Sequence, residues 1–229
     1  MDQPKTEVLR YLGHRGQELA PELSALVDAC MAECREAAKP LHLWQLFDVA
    51  VREDVVALAG TPLVLEGGDI RRHLEKASKA AVMAATLGVG VDHLIRRWEY
   101  TDLTRSVILD ACATQLIEEV CDQAEEEVKA EAARLGFHSN FRYSPGYGDL
   151  PLTVQPNLLA VLGAAKRIGL TCTESHILLP RKSVTALIGL LPPGEAAAPK
   201  GGCAACALRD SCKFKKDGGT DGCDRIVAQ

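Results

Sequence analysis

Thr104 to Leu135 constrains the fold more than any other stretch, because it reads as one long helix that stops at Gly136. Val107, Ile108, Ala111, Leu116, Ile117, Val120 and Val128 make one apolar face, and the acidic run Glu125-Glu126-Glu127 reads as the solvated side. Such a face has to be buried against another layer, which the rest of the chain must supply.

The remaining punctuation suggests how. Pro21 to Lys39 repeats apolar residues at helical spacing and closes at Pro40, so a helix is expected there. Leu41 to Val51 and Pro62 to Leu65 read as extended, whereas Glu7 to Leu12 fits either a strand or a first helical turn. Asp69 is read as the cap of an alanine- and lysine-rich helix running to about Leu87, before Gly88. Val91 to Trp98 and Asn157 to Ile168 complete the helices, and short strands near 170–173 and 176–179 precede an apolar stretch from Ser183. Helices interleaved with a few strands, without a regular βαβ repeat, predict an α+β fold of long helices on a twisted, largely antiparallel sheet.

With 229 residues and 47% hydrophobic content, the chain has material for one sizeable core and a small appendage. No run is long and apolar enough for a membrane span, and Met1-Asp2-Gln3-Pro4-Lys5 has no secretory character. A cytoplasmic protein is expected. A net charge of -5 and no basic stripe argue against a nucleic-acid partner. The residues 191–202, rich in Pro and Gly, have linker composition, dividing a main domain of 1–190 from a tail of 203–229.

Between the long helix and the next one lies Arg142-Tyr143-Ser144-Pro145-Gly146-Tyr147-Gly148-Asp149-Leu150-Pro151. A guanidinium, glycines that admit close backbone approach and two tyrosines suit a polar, planar small molecule. Downstream stand Leu170-Thr171-Cys172-Thr173-Glu174-Ser175 and Pro180-Arg181-Lys182-Ser183-Val184. Together with the Arg-x-x-x-Gly-Tyr core, this set resembles the S-adenosylmethionine-binding activation domain of cobalamin-dependent methionine synthase, most densely from Gly136 to Gly189. The resemblance implies S-adenosylmethionine as ligand, with Arg142 on its carboxylate and Gly146 and Tyr147 beside it. It also implies a helix glutamate near the ligand's amino group, Glu118 or, one residue on, Glu119. Glu174 is read as an orienting residue, as part of the surface toward a cobalamin protein, or as part of a plain structural turn. Two departures stand out: Cys172 interrupts the Leu-Thr-Glu-Ser pattern, and Leu187-Ile188 replaces an aromatic pair.

By the same resemblance the chain reactivates a cob(II)alamin-containing methyltransferase in trans, since it has no Asp-x-His-x-x-Gly signature and no room for homocysteine, folate or cobalamin modules. The expected partner is therefore a cobalamin-binding methyltransferase or other corrinoid protein, served by a low-potential electron donor. A non-catalytic corrinoid-protein chaperone and an S-adenosylmethionine sensor are the competing readings.

Nine cysteines without an export signal point to thiols or metal ligands before disulfides. Cys203, Cys206, Cys212 and Cys223 crowd the tail, where a bound metal would supply folding energy that no apolar core provides. Four thiolates accept either zinc or an iron-sulfur cluster such as 4Fe-4S. The activity implied by the resemblance favours the cluster, because reactivation consumes an electron. Cys30 and Cys34, one helical turn apart, are read as small buried residues, and the six histidines, His73 among them, as surface or helix positions without ligand spacing.

Overall fold

The computed structural model describes residues 3–52 and 55–197. In chain order these form α1 (Gln3–Tyr11), α2 (Pro21–Ala37), β1 (Leu41–Arg52), β2 (Val55–Leu58), β3 (Val64–Glu66), α3 (Gly68–Leu74), β4 (Lys79–Thr86) and α4 (Val89–Glu99). They continue with α5 (Leu103–Arg134), β5 (His138–Ser139), α6 (Gln155–Leu162), α7 (Ala164–Ile168), β6 (Thr171–Cys172), β7 (Leu178–Leu179) and β8 (Ser183–Leu191). Six strands make one sheet in the order β3-β2-β1-β4-β8-β5, every pair antiparallel, and β6 and β7 form a separate hairpin. The expected α+β class with an antiparallel sheet is what the chain adopts.

The sheet is covered on both faces. Ala81, Met83 and Ala85 of β4 enter a core shared with α2, α4 and α5, while Ala80, Val82 and Ala84 enter a second core with α3 and α6. Strand β4 is thus central and almost wholly buried, and its alanines let helices lie close on either side. The long helix α5 crosses one face, contributing Ile108, Leu109, Ile117, Val120 and Val128 to the core, whereas Val107, expected on the apolar face, is exposed. Its N-cap is Asp102, whose carboxylate accepts from Arg105 N at 2.9 Å.

Three expectations are corrected. The single helix from Asp69 to Leu87 is instead α3, which ends at Leu74, followed by β4. A strand buried on both faces shows no polar alternation, and alanine's helix propensity then misdirects the reading. Asp69 does not cap α3 either: Gly67 occupies the N-cap, and the acceptor for its first amides is Asp149, far away in sequence. Finally, the helix expected through Ile168 is broken into α6 and α7 at Gly163, which adopts φ 61°. At the N-terminus the open alternative resolves to a helix, α1. Strand β8 runs through Leu191, which is buried and pairs with His138.

Candidate functional site

Arg142 owes its position to a strand-like run after β5. Asn140 N donates to Gly189 O at 2.9 Å, and Tyr143 exchanges two backbone bonds with Leu187, at 2.9 and 2.8 Å. Asn140 also clamps β8 with its side chain, accepting from Gly189 N at 2.6 Å while its amide donates to His73 O at 2.8 Å. A Cβ on Gly189 would lie 2.7 Å from that amide nitrogen, so this strand position has room only for glycine. Side chains alternate along such a run: Tyr143 packs on the α3/α6 core, and Arg142 turns to α5.

On α5, Glu118, Asp122 and Glu125 follow i, i+4, i+7 spacing and share a face. All three meet the guanidinium, at 3.1 Å from Glu118 Oε2, 2.9 Å from Asp122 Oδ1 and 3.2 Å from Glu125 Oε2. Arg142 and Glu118 are largely withdrawn from solvent, with side chains 14% and 12% exposed. Burial works against the Arg142 charge, but the surrounding carboxylates of Glu118, Glu125 and Asp122 help outweigh it, and the pKa is raised. Cys121 is buried behind the pair, and burial pushes its thiol up, leaving it unreactive. Of the two adjacent glutamates, Glu118 meets Arg142, whereas Glu119 accepts from Gln115 at 2.8 Å and Arg35 at 3.4 Å. Alongside, α1 and α5 enclose a cleft of about 130 Å³ whose walls include Glu7, Tyr11, Glu118 and Asp122.

Beyond Arg142 the chain folds into tight turns. Tyr147 N donates to Ser144 O, Leu150 N to Tyr147 O, and Gly146 N to Leu150 O, at 3.1, 3.0 and 2.8 Å. Gly146 is exposed with φ 93°, a conformation that favours glycine. The Tyr143 and Tyr147 rings stand 5.8 Å apart, and the Tyr143 hydroxyl donates to Tyr147 O at 3.2 Å. Burial, with Asp149 nearby, lifts the Tyr143 hydroxyl to about 12. Beneath lies His73, its ring 4.6 Å from Phe141 and 5.0 Å from Tyr143. Burial lowers His73 to about 4, so the ring is neutral and forms the floor of the loop.

The structure pairs Glu118 with Arg142 against α5, while Gly146 and Tyr147 lie in the turns that follow Arg142 along the chain, next to Tyr143. Glu174 stands on a different element, exposed in the turn of the β6–β7 hairpin, where Thr173 N donates to Ile177 O at 2.8 Å. Cys203, Cys206, Cys212 and Cys223 lie outside the described residues, as does the linker beyond Ala197. Cys30, Cys34 and Cys112 are buried, with thiol pKa values raised chiefly by burial, to about 11 for Cys34. Among the described residues no group of three or more His, Cys, Asp or Glu is arranged to hold a metal ion, and no helix is long and apolar enough to cross a membrane.

Sequence reasoning missed Asp122 and Glu125 as partners of Arg142, and their helical spacing from Glu118 was the available signal. The run Glu125-Glu126-Glu127 is not simply solvated, because Glu127 accepts from Trp44 Nε1 and bonds His42 Nε2, both at 3.0 Å. Hydrogen bonding from Trp44 accordingly lowers the Glu127 pKa. His73, read as a surface or helix position, lies in α3 and is buried.

Residues 70–193 match the family described as "Vitamin B12 dependent methionine synthase, activation domain". That span contains Glu118, Arg142, Gly146, Tyr147 and Glu174 and ends before Cys203. Among solved structures, the crystal structure of the MetH reactivation domain bound to AdoHcy is similar at TM-score 0.63 and 17% identity, over 85% of this chain and 77% of that one. At that identity the likeness concerns the fold. No curated protein matches the chain.

Proposed function

Because the chain belongs to the activation-domain family of vitamin B12-dependent methionine synthase, we propose that it binds S-adenosylmethionine and reactivates a separate cobalamin-bearing methyltransferase, such as a methionine synthase. The observation that carries this reading is Arg142 set among Glu118, Asp122 and Glu125, with the exposed Gly146 turn following it in the chain. A ligand with one carboxylate and two cationic centres, ammonium and sulfonium, matches that charge set. Its carboxylate takes a paired, charge-assisted contact from Arg142, and its ammonium takes Glu118. Gly146 lets the ligand approach the backbone, and Tyr147 offers an aromatic face to the nucleoside or the sulfonium. Glu174, in its exposed turn, belongs to the surface that meets the corrinoid protein or orients the ligand.

S-adenosylmethionine supplies the methyl group: cob(II)alamin gains one electron, and the reduced cobalt then takes the methyl while S-adenosylhomocysteine leaves. The chain's own part is to fix the sulfonium's orientation toward the partner's cobalt and to exclude side reactions by holding both ends of the methionyl group. The electron enters from a low-potential donor. The tail thiolates Cys203, Cys206, Cys212 and Cys223 suit an iron-sulfur cluster, such as 4Fe-4S, that relays it in cis, with zinc as the structural alternative. The system works in the cytoplasm, where thiolates stay reduced.

The test is an anaerobic mixture of this protein, a cob(II)alamin methyltransferase, a low-potential reductant and methyl-labelled S-adenosylmethionine. Label on the cobalamin is expected. Ligand binding without transfer would leave a sensor or chaperone, and no binding heat at millimolar ligand would overturn the reading altogether. Iron and sulfide analysis of anaerobically purified protein separates the two tail assignments, a colourless zinc-loaded protein ruling out the cluster.

A further inference from the structure

Loop 144–151 has few apolar anchors: Leu150 enters the α3/α6 core, while Gly146, Gly148 and Asp149 are exposed. What it has instead is a polar tie to another element. The Asp149 carboxylate accepts from Gly68 N at 2.6 Å and from Asp69 N at 3.1 Å, the first amides of α3. These donors have no partner within a helix, and no side chain of α3's own N-cap serves them. The fit is close on both sides. Gly67 has φ 132°, and a Cβ there would strike the Asp149 carboxylate; Gly148 has φ 50°, and a Cβ there would strike the Asp69 carboxylate and the Tyr143 hydroxyl. That hydroxyl in turn bonds Tyr147 O. A continuous set of contacts therefore runs from the start of α3, through Asp149 and Gly148, to the tyrosine proposed to face the ligand.

We propose that Asp149 is a positioning residue, a clasp that fastens the Arg-x-x-x-Gly-Tyr loop to α3 and holds it in its ligand-binding form. The inference rests on the ligand reading above. Asp149 makes none of the ion pairs of Arg142, so its effect on the ligand passes through loop geometry. Because the clasp has two sides, disturbing either should cost the same affinity, and disturbing both should cost no more.

The experiment is calorimetric titration with S-adenosylmethionine at a temperature where every variant is folded. Asp149→Ala is expected to weaken binding about tenfold, and Asp149→Asn, which keeps one carbonyl acceptor, to recover part of the loss. Gly67→Ala should weaken binding similarly, with the double variant no weaker than the weaker single. Should Gly67→Ala not fold, hydrogen exchange replaces it: ligand is expected to slow the Gly68 and Asp69 amides in the wild type and not in Asp149→Ala. Undiminished affinity in Asp149→Ala, additive losses in the double variant, or equal ligand protection in both proteins overturns the clasp. A wild type that gives no binding signal overturns the ligand reading instead.

Discussion

Lys182 and Arg142 are both drawn out of solvent against the same helix, yet α5 answers them differently. Lys182 Nζ meets one carboxylate, Asp110 at 2.9 Å, and one hydroxyl, Thr114 at 3.0 Å. Arg142 meets three carboxylates, of which Glu125 is shared with Lys129 at 3.1 Å. The first arrangement is neutral and complete. The second is left negative even after Lys129 is counted, a state that costs stability through like-charge repulsion and suits a cationic visitor. The two ion-pair clusters thus differ in charge balance rather than in the order burial would suggest, since Lys182 is the more buried of the two cations, and it is the unbalanced one that the proposed function assigns to the ligand.

Acid is the broadest probe of this side of the molecule, because the floor beneath the loop titrates. The unfolded chain takes up a proton near pH 6.5 that the buried His73 ring refuses until about pH 4. Stability from this group is complete above the higher value and drains as pH falls through the lower one, by about 3 kcal/mol in all. Urea unfolding followed against pH should show the loss, and His73→Phe should flatten it. Next in size, Arg142→Ala should reduce affinity for S-adenosylmethionine on the order of 100-fold in calorimetry, a charge-assisted double contact being lost. Glu118→Gln should reduce it about tenfold while leaving the unfolding midpoint unchanged or slightly raised, because one repelling charge is gone. Smallest, Lys182→Met should cost about 1 kcal/mol in chemical unfolding and leave ligand affinity within about twofold. A large affinity loss in Lys182→Met, or none in Glu118→Gln, would erase the distinction between the two cations.

Where local signals and tertiary context agreed, the sequence was readable. Pro21 and Pro40 bracket α2, Gly136 follows α5, and β1 lies where its apolar run suggested. Strand β4 was hidden because its environment is apolar on both sides, which only the assembled layers create. At the site, Arg142, Gly146 and Tyr147 were legible as a local motif. Lys182 was not, since its partners come from a distant element, and Asp122 and Glu125 shared the helical spacing of Glu118 without a sign of whether that face meets water or a guanidinium. Asp149 was hidden for a related reason: an aspartate beside glycines reads as turn chemistry, and its service to α3 crosses 80 residues.

The helix that carries both cations' partners is a single uninterrupted rod, and phase along it is shared. One residue inserted between Thr114 and Glu118 would swing everything downstream by about 100°. Asp110 and Thr114 would keep their lysine, while the three acids would face away from their arginine. The proposed recognition is therefore timed by the same screw that builds the scaffold, and an indel there would silence the one while sparing the first turns of the other.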